Sequence, residues 1–238
     1  MDNAFYTTLT RQSGLMREMQ TVANNIANMA TGGFRKEGVI FSEYIERLGR
    51  DDPSLSMSAA RGRFTDQSQG VLTQTGSTFD FAIEGPGFFL VQTPNGQALT
   101  RTGNFTVSAT GELVNQDGYR LLDGGGAPVF VPPDSAEVSL SSDGTLSAAG
   151  QPLAQIGLWD VSDPADLTHR DGVLFDISAP PAPVADGVIL QGFLEGSNVD
   201  PIGEMSRMIA VQRAYELGQS FLDTEDQRIR NVLTTLGR

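Results

Sequence analysis

A chain of 238 residues is long enough for one sizeable domain, or for a smaller domain carried on helices. Its 29 acidic residues against 16 basic ones give a formal charge of -13 with no run of Lys and Arg, so a grip on nucleic-acid phosphates or anionic membrane surfaces has no footprint. The absence of cysteine excludes a disulfide framework, thiol catalysis and thiolate metal sites, while 27 Gly and 12 Pro point to a turn-rich β body.

The opening Met1-Asp2-Asn3-Ala4-Phe5 lacks a basic n-region. No apolar stretch approaches the roughly 20 residues of a membrane span, so export, if it occurs, is expected without a cleaved signal. From Asn3 to about Met29 there is no Pro, and Phe5, Leu9, Met16, Met19, Ala23 and Ile26 fall on one helical stripe widened by Leu15 and Val22. Thr31-Gly32-Gly33 ends this helix. Residues 35–75 read as a linker or partly ordered extension, with a helical turn or two at Phe41, Tyr44, Ile45 and Leu48 and an exposed loop over Asp51-Asp52-Pro53 and Ser54 to Ser58.

Residues 76–190 carry short apolar runs separated by turn dipeptides such as Pro86-Gly87, Asn95-Gly96, Asp117-Gly118 and Asp143-Gly144, which predicts a mainly antiparallel β domain. Phe79 to Ile83 and Phe88 to Val91 are the strongest strands, and Pro86-Gly87 between them suits a type II turn. The final segment, 191–238, starts its helix at Asp200-Pro201, a capping residue followed by a favoured first position, with Glu204 in the first turn. Met208, Val211, Tyr215, Leu222, Ile229, Val232 and Leu236 then follow a spacing near 3.5, interrupted at Gly218 and Glu225. The fold class expected is therefore α+β, with long terminal helices forming a coiled-coil-like stalk around a central β domain. Each helix could bury about six or seven large side chains at roughly 1.5–3 kcal/mol each, and only against a partner. The balance favours assembly.

Catalytic templates find little support. The single histidine, His169, sits among loop residues and reads as a solvent-exposed structural residue, and it leaves triads and histidine metal sites short of ligands. Asn115 to Gly118, Asp123-Gly124 and Gly124-Gly125-Gly126 read as turns, since the spacings of a calcium loop or a phosphate cradle are missing. Glu84 has no visible partner for a glycosidase carboxylate pair, and Trp159 in a strand-like run reads as core packing. No catalytic, cofactor or metal residue is assigned.

Three blocks carry a resemblance. Thr21-Val22-Ala23-Asn24-Asn25-Ile26-Ala27-Asn28 followed by Thr31-Gly32-Gly33-Phe34 resembles the N-terminal signature of flagellar rod and hook proteins. Phe79 to Phe89 with Arg101-Thr102-Gly103-Asn104-Phe105 is similar to the start of their central β domain, and Gln191 to Asp200 leading into Met208 to Glu216 to their C-terminal block. The opening Met1 to Tyr6, Arg11-Gln12 and Phe41-Ser42-Glu43-Tyr44 look most like proximal-rod members, with distal-rod members the runner-up. Met29-Ala30 and Gly33 depart from the pattern in the turn after the first helix.

The resemblance implies a structural subunit of the flagellar rod in the basal body, exported through the flagellar type III apparatus, with termini poorly ordered in the monomer. Its implied partners are copies of itself and other rod proteins, without nucleic acid, substrate or cofactor. Residues 1–34 and 191–238 would supply the axial core. The assembly interface is expected at Phe5, Leu9, Met16, Met19, Val22, Asn24, Asn25, Ile26 and Asn28 on the first helix and at the seven apolar residues from Met208 to Leu236 on the last, the asparagines fixing register by hydrogen bonds. A periplasmic binding module and a peptidoglycan-acting enzyme are the competing classes.

Overall fold

A computed structural model describes residues 2–46, 55–132, 135, 137–161, 163, 166–170, 172–184 and 187–236, with backbone alone at 2–5, 42–46, 55–61 and 236. It is an α+β protein that divides into two compact units. The first comprises residues 1–27, 37–64 and 200–238, and the second residues 28–36 and 65–199.

In the first unit, helix α1 (Asp2–Ala27) and helix α2 (Pro201–Leu236) lie antiparallel, as the pairing of Asn25 with Glu204, Glu18 with Arg207 and Gln12 with Tyr215 requires. The start of α2 is set by Asp200, whose Oδ1 accepts the Ile202 N–H at 3.1 Å while its carbonyl accepts that of Glu204 at 3.0 Å. The strands Glu37–Glu46 and Leu55–Thr65 pair in a two-stranded ribbon. This overturns the helical turn expected at Phe41, Tyr44 and Ile45 and the loop expected from Leu55 to Ser58; Leu48 and residues 51–54 lie outside the described residues. The segment Glu37-Gly-Val-Ile-Phe-Ser-Glu-Tyr-Ile-Glu is rich in β-branched and aromatic side chains, and its ladder partner lies beyond the reach of local periodicity.

The second unit is built on a seven-stranded antiparallel sheet that runs, edge to edge, Leu167–His169, Leu174–Ile177, Gly96–Thr100, Phe89–Thr93, Arg120–Leu121, Leu113–Val114 and Thr106–Val107. Phe81, Ile83, Phe89, Val91, Phe105, Leu113, Leu121 and Leu146 form its main core on one face, and Phe88, Leu90, Leu99 and Phe175 a second cluster on alternate positions of the same strands. The two strands expected around Pro86-Gly87 exist as Phe81–Glu84 and Phe89–Thr93, but they do not form a hairpin. Phe81–Glu84 pairs instead with Val188–Gln191, Ile83 opposite Ile189, while Phe89–Thr93 pairs with Gly96–Thr100 through Asn95-Gly96.

Among the two glycines after α1, Gly33 is the constrained one. Its φ is 73°, and a Cβ there would stand 2.6 Å from the Thr102 nitrogen, whereas a Cβ at Gly32 would meet only the Glu195 carbonyl at 3.3 Å. The glycine marked as a departure from the family pattern is thus the one this backbone requires.

Candidate assembly surface

Parts of the three sequence blocks that carry the resemblance, residues 31–34, 79–105 and 191–199, converge inside the second unit. The Gly33 N–H donates to the Glu195 carbonyl at 2.8 Å, the Thr102 hydroxyl donates to the Gly32 carbonyl at 3.3 Å, and Gly103 lies so close to the Phe81 carbonyl that a Cβ would stand 1.5 Å from it. Asn198 binds this junction on several sides: its Oδ1 accepts the Lys36 N–H at 2.7 Å, and its Nδ2 donates to the carbonyls of Asp66 and Ser68, both at 2.9 Å.

At the centre sits Glu195, with its side chain at 0% exposure. Its Oε1 lies 2.9 Å from Arg35 Nη2 and accepts the Gly70 N–H at 2.8 Å; its Oε2 lies 3.2 Å from Arg101 Nη1. Arg35 also donates to the Ser68 carbonyl and Arg101 to that of Gly85, and the Arg101 guanidinium covers the Phe88 ring at 5.3 Å from its centroid. Burial lowers both guanidinium pKa values against the raising effect of Glu195; Arg101 falls to about 10, pushed down first by burial and then by Arg35. The cluster is closed to solvent, with Arg35, Arg101 and Glu195 all buried. It holds the unit together, and its members lie at sequence positions 35, 101 and 195, too far apart for any local pattern to join them.

His169 belongs to the same junction. Rather than facing solvent from a loop, it lies in the strand Leu167–His169, half-buried between Phe34 at 5.4 Å and Phe175 at 4.2 Å, with Nε2 3.2 Å from the Arg35 carbonyl. Trp159 packs against the Phe88 and Phe175 cluster, and Asn115 and Asp123 close turns by accepting backbone N–H groups. Glu84 is an exposed strand-end residue. No helix among the described residues is long and apolar enough to cross a membrane.

The helical unit places the expected interface residues in three positions. Val22, Asn25 and Val211 are buried inside the unit itself. Met19, Ile26, Asn28, Met208, Tyr215 and Leu222 are half-buried, and Leu9, Met16, Asn24, Ile229 and Val232 are exposed. The side chains of Phe5 and Leu236 lie outside the described residues. The three asparagines play different parts. Asn25 donates to the Glu37 carbonyl at 2.8 Å and to Glu204 Oε2 at 3.0 Å while accepting the Glu37 N–H at 3.0 Å, so one amide ties α1 to the ribbon and to α2. Asn28 Oδ1 accepts the Thr31 hydroxyl at 3.2 Å in the turn, and Asn24 faces outward.

Gly218, the interruption in the apolar seam, is a notch. A Cβ there would lie 2.3 Å from Gln12 Nε2, which donates to the Tyr215 carbonyl at 2.8 Å. Apolar residues that the seam did not include are also uncovered: Tyr6 on α1, and Ile202, Met205, Ile209, Leu217, Phe221 and Leu233 on α2, with Ile202 at 78% exposure. The heptad signal caught the face of α2 that meets α1 and overlooked the second stripe at Ile202, Met205, Ile209, Leu217 and Phe221, while Leu233 falls on the seam's own line. The ribbon adds Ile40, Phe41 and Phe64.

Charge divides unevenly between the units. The second holds 16 acidic and 5 basic residues, so it carries -11 of the total -13, and the helical unit with its ribbon is close to neutral at -2. Surfaces this different in charge and apolar exposure suit different neighbours.

A long antiparallel helix pair with uncovered apolar side chains, and a β unit closed by a buried Arg-Glu-Arg cluster, are the features of a structural protein. Residues 82–148 match the flagellar hook protein FlgE/F/G D1 domain, and residues 190–235 match the flagellar basal body rod FlgEFG protein C-terminal region. The chain is 36% identical over 241 residues to the flagellar basal-body rod protein FlgF of Rhizobium meliloti (strain 1021), covering 100% of this chain and 99% of the relative. It is 36% identical over 248 residues to FlgF of Caulobacter vibrioides (strain ATCC 19089 / CIP 103742 / CB 15), again at 100% and 99% coverage. Against the flagellar basal-body rod protein FlgG of Bacillus subtilis (strain 168) identity is 29% over 260 residues, with 98% of both chains covered. The chain belongs to the flagellar basal-body rod protein family, a family of structural proteins and not of enzymes.

Proposed function

We propose that this protein is a structural subunit of the proximal part of the flagellar rod, assembling with copies of itself and with other axial proteins into the drive shaft that transmits torque. In this reading the segments 1–34 and 191–238 supply a coiled-coil-like axial core through their helices Asp2–Ala27 and Pro201–Leu236, residues 35–75 an extension from it, and residues 76–190 the laterally placed β domain. The subunit reaches the basal body through the flagellar type III export apparatus. Greater identity to the two FlgF relatives above than to the FlgG relative supports the proximal position over the distal one.

The observation that carries the reading is the apolar surface left uncovered on the helices: Leu9 and Met16 on α1, with Ile209, Leu217, Phe221, Ile229 and Val232 on α2. Apolar side chains this dense along a helix are stable in water only when a partner covers them. Val22, Asn25 and Val211 serve a different purpose in this account, pairing the helices within one chain. The charge division agrees, because β units that each carry about -11 repel one another at short range while near-neutral helices can approach.

The test replaces Ile209 or Phe221, both exposed, with Asp. Each variant should fold with an unchanged melting temperature but fail to enter basal bodies and leave cells non-motile. Normal motility in both would count against the helical axial core.

A further inference from the structure

The chain passes between its two units at four places, after residues 27, 36, 64 and 199. Units joined by separate linkers ordinarily move relative to one another. The β unit does not release its connections separately, because Asn198 ties three of them together inside it. Its Oδ1 accepts at 2.7 Å the N–H of Lys36, which ends the segment leading to the ribbon. Its Nδ2 donates at 2.9 Å to the carbonyl of Asp66, the second residue after the ribbon returns. Asn198 itself stands two residues before Asp200, where the chain leaves for the last helix. Two backbone bonds close the same ring, from the Asp66 N–H to the Lys36 carbonyl at 2.8 Å and from the Asn198 N–H to the Phe34 carbonyl at 3.4 Å. The amide of Asn198 also reaches the Ser68 carbonyl at 2.9 Å and the Ser68 hydroxyl at 3.2 Å, so its acceptor and both its donor hydrogens are in use.

The stretch of chain that Asn198 grips is itself anchored. The Ser68 carbonyl also accepts from Arg35, Gln69 Nε2 donates to the Ile83 carbonyl at 3.0 Å while its Oε1 accepts the Gly85 N–H at 3.2 Å, and the Gly70 N–H donates to Glu195 at 2.8 Å. A Cβ at Gly70 would stand 2.1 Å from the Gly196 carbonyl oxygen, so this stretch fits its neighbour without room to shift. The fourth connection starts at Asn28, in a turn of its own, where the carbonyl and Oδ1 accept the Thr31 N–H at 3.1 Å and its hydroxyl at 3.2 Å. A role for Asn198 in the general stability of the β fold is the plainer reading. Its side-chain bonds go only to residues 36, 66 and 68, however, and none reaches the seven-stranded sheet.

We propose that Asn198 is a torsional clamp, which makes three of the four connections of the β unit into one stem, so that a couple carried by the chain reaches the β unit through all three together. Strands free to slide past one another would let the β unit swivel instead. The geometry of the clamp stands by itself, and its use in carrying torque rests on the rod reading above.

Amide hydrogen exchange on the purified full chain, parent against Asn198→Ala, reads the clamp directly. The informative amide is that of Asp66, whose acceptor, the Lys36 carbonyl, the substitution leaves in place. It should exchange about tenfold or more faster in the variant, while the Val129 amide, bonded to the Leu121 carbonyl in the main core, stays within about twofold. An unchanged Asp66 amide would overturn the clamp, and equal acceleration at Asp66 and Val129 would overturn it in favour of general stability. As a second variant, Asn198→Asp keeps an acceptor for Lys36 but turns a carboxylate oxygen toward the Asp66 and Ser68 carbonyls. It should accelerate Asp66 at least as much as Asn198→Ala does, and parental exchange would overturn the clamp independently. In cells, Asn198→Ala should enter basal bodies at the parental copy number, swim normally in dilute medium and fail as added polymer raises the viscous load. Parental swimming at every viscosity, or a lowered copy number, would overturn the torque role. Absence of the parent chain from basal bodies would remove the rod reading, with the exchange result still deciding the clamp.

Discussion

Replacing Glu195 with Gln keeps the shape of the residue at the centre of the β unit and removes its charge. Two guanidinium groups, Arg35 at 2.9 Å and Arg101 at 3.2 Å, then face a neutral amide in a site with 0% exposure, and the Gly70 N–H loses a charged acceptor for a weaker one. Breaking a buried ion pair from one side costs about 3–5 kcal/mol, a large share of the roughly 5–15 kcal/mol that holds a domain folded. For a chain of this size each kcal/mol moves the melting temperature by about 2–4 °C, so the variant should melt about 6–20 °C lower. Trp159 is the only tryptophan and lies in the β unit, so its emission follows that unit without the helices. Urea unfolding read by Trp159 should show a lower midpoint at unchanged slope. Glu84→Gln, at an exposed strand end, is the control and should stay within about 0.5 kcal/mol. A Glu195→Gln protein within about 1 kcal/mol of the parent would refute the claim that this cluster holds the unit together.

Asn25→Ala removes three buried hydrogen bonds joining α1, the ribbon and α2 and should cost the helical unit about 2–4 kcal/mol, whereas exposed Asn24→Ala should cost less than about 0.5. Far-ultraviolet melts of the two variants make the comparison, and equal effects would deny Asn25 its separate role. Gly218→Ala should destabilise the parent, because the new methyl group displaces Gln12, yet stabilise a Gln12→Ala background by about 1 kcal/mol through helix propensity. The same sign in both backgrounds would show that Gln12 does not occupy the notch. Arg101→Lys puts a group of ordinary pKa about 10.4 into a site that lowers the native guanidinium to about 10 by burial and by Arg35. The folded lysine then titrates below its unfolded value; between the two the unfolded state binds more protons, so stability rises with pH. Melts between pH 7 and 9.5 should therefore show the lysine variant gaining stability while the parent stays nearly flat, and parallel curves would contradict the assigned burial.

The ends of the chain were the most readable part of the sequence, for a local reason. Asp200-Pro201 marks a helix start whatever the rest of the chain does, and the structure begins α2 there. The spacing from Met208 to Leu222 identified the face of α2 that meets α1, but spacing cannot say which partner covers a seam or where the partner ends. For that reason the exposure of Ile229 and Val232 and the second stripe at Ile209 and Phe221 became visible only with both helices in place. The ribbon was misread because Phe41, Tyr44 and Ile45 fit a helical turn as well as a strand, and its pairing with Leu55–Thr65 is non-local. The Arg35–Glu195–Arg101 cluster left one trace, charged residues within otherwise apolar or glycine-rich blocks, which surface solvation explains equally well until the positions are brought together.

The central claim, that this chain is a rod subunit, is tested most directly by quantitative mass spectrometry of purified basal bodies against the other axial proteins that co-purify. The account predicts that this chain is present at a fixed, small number of copies per particle and stays with the rod when the hook and filament are removed. Its absence from intact rods of motile cells would contradict the account.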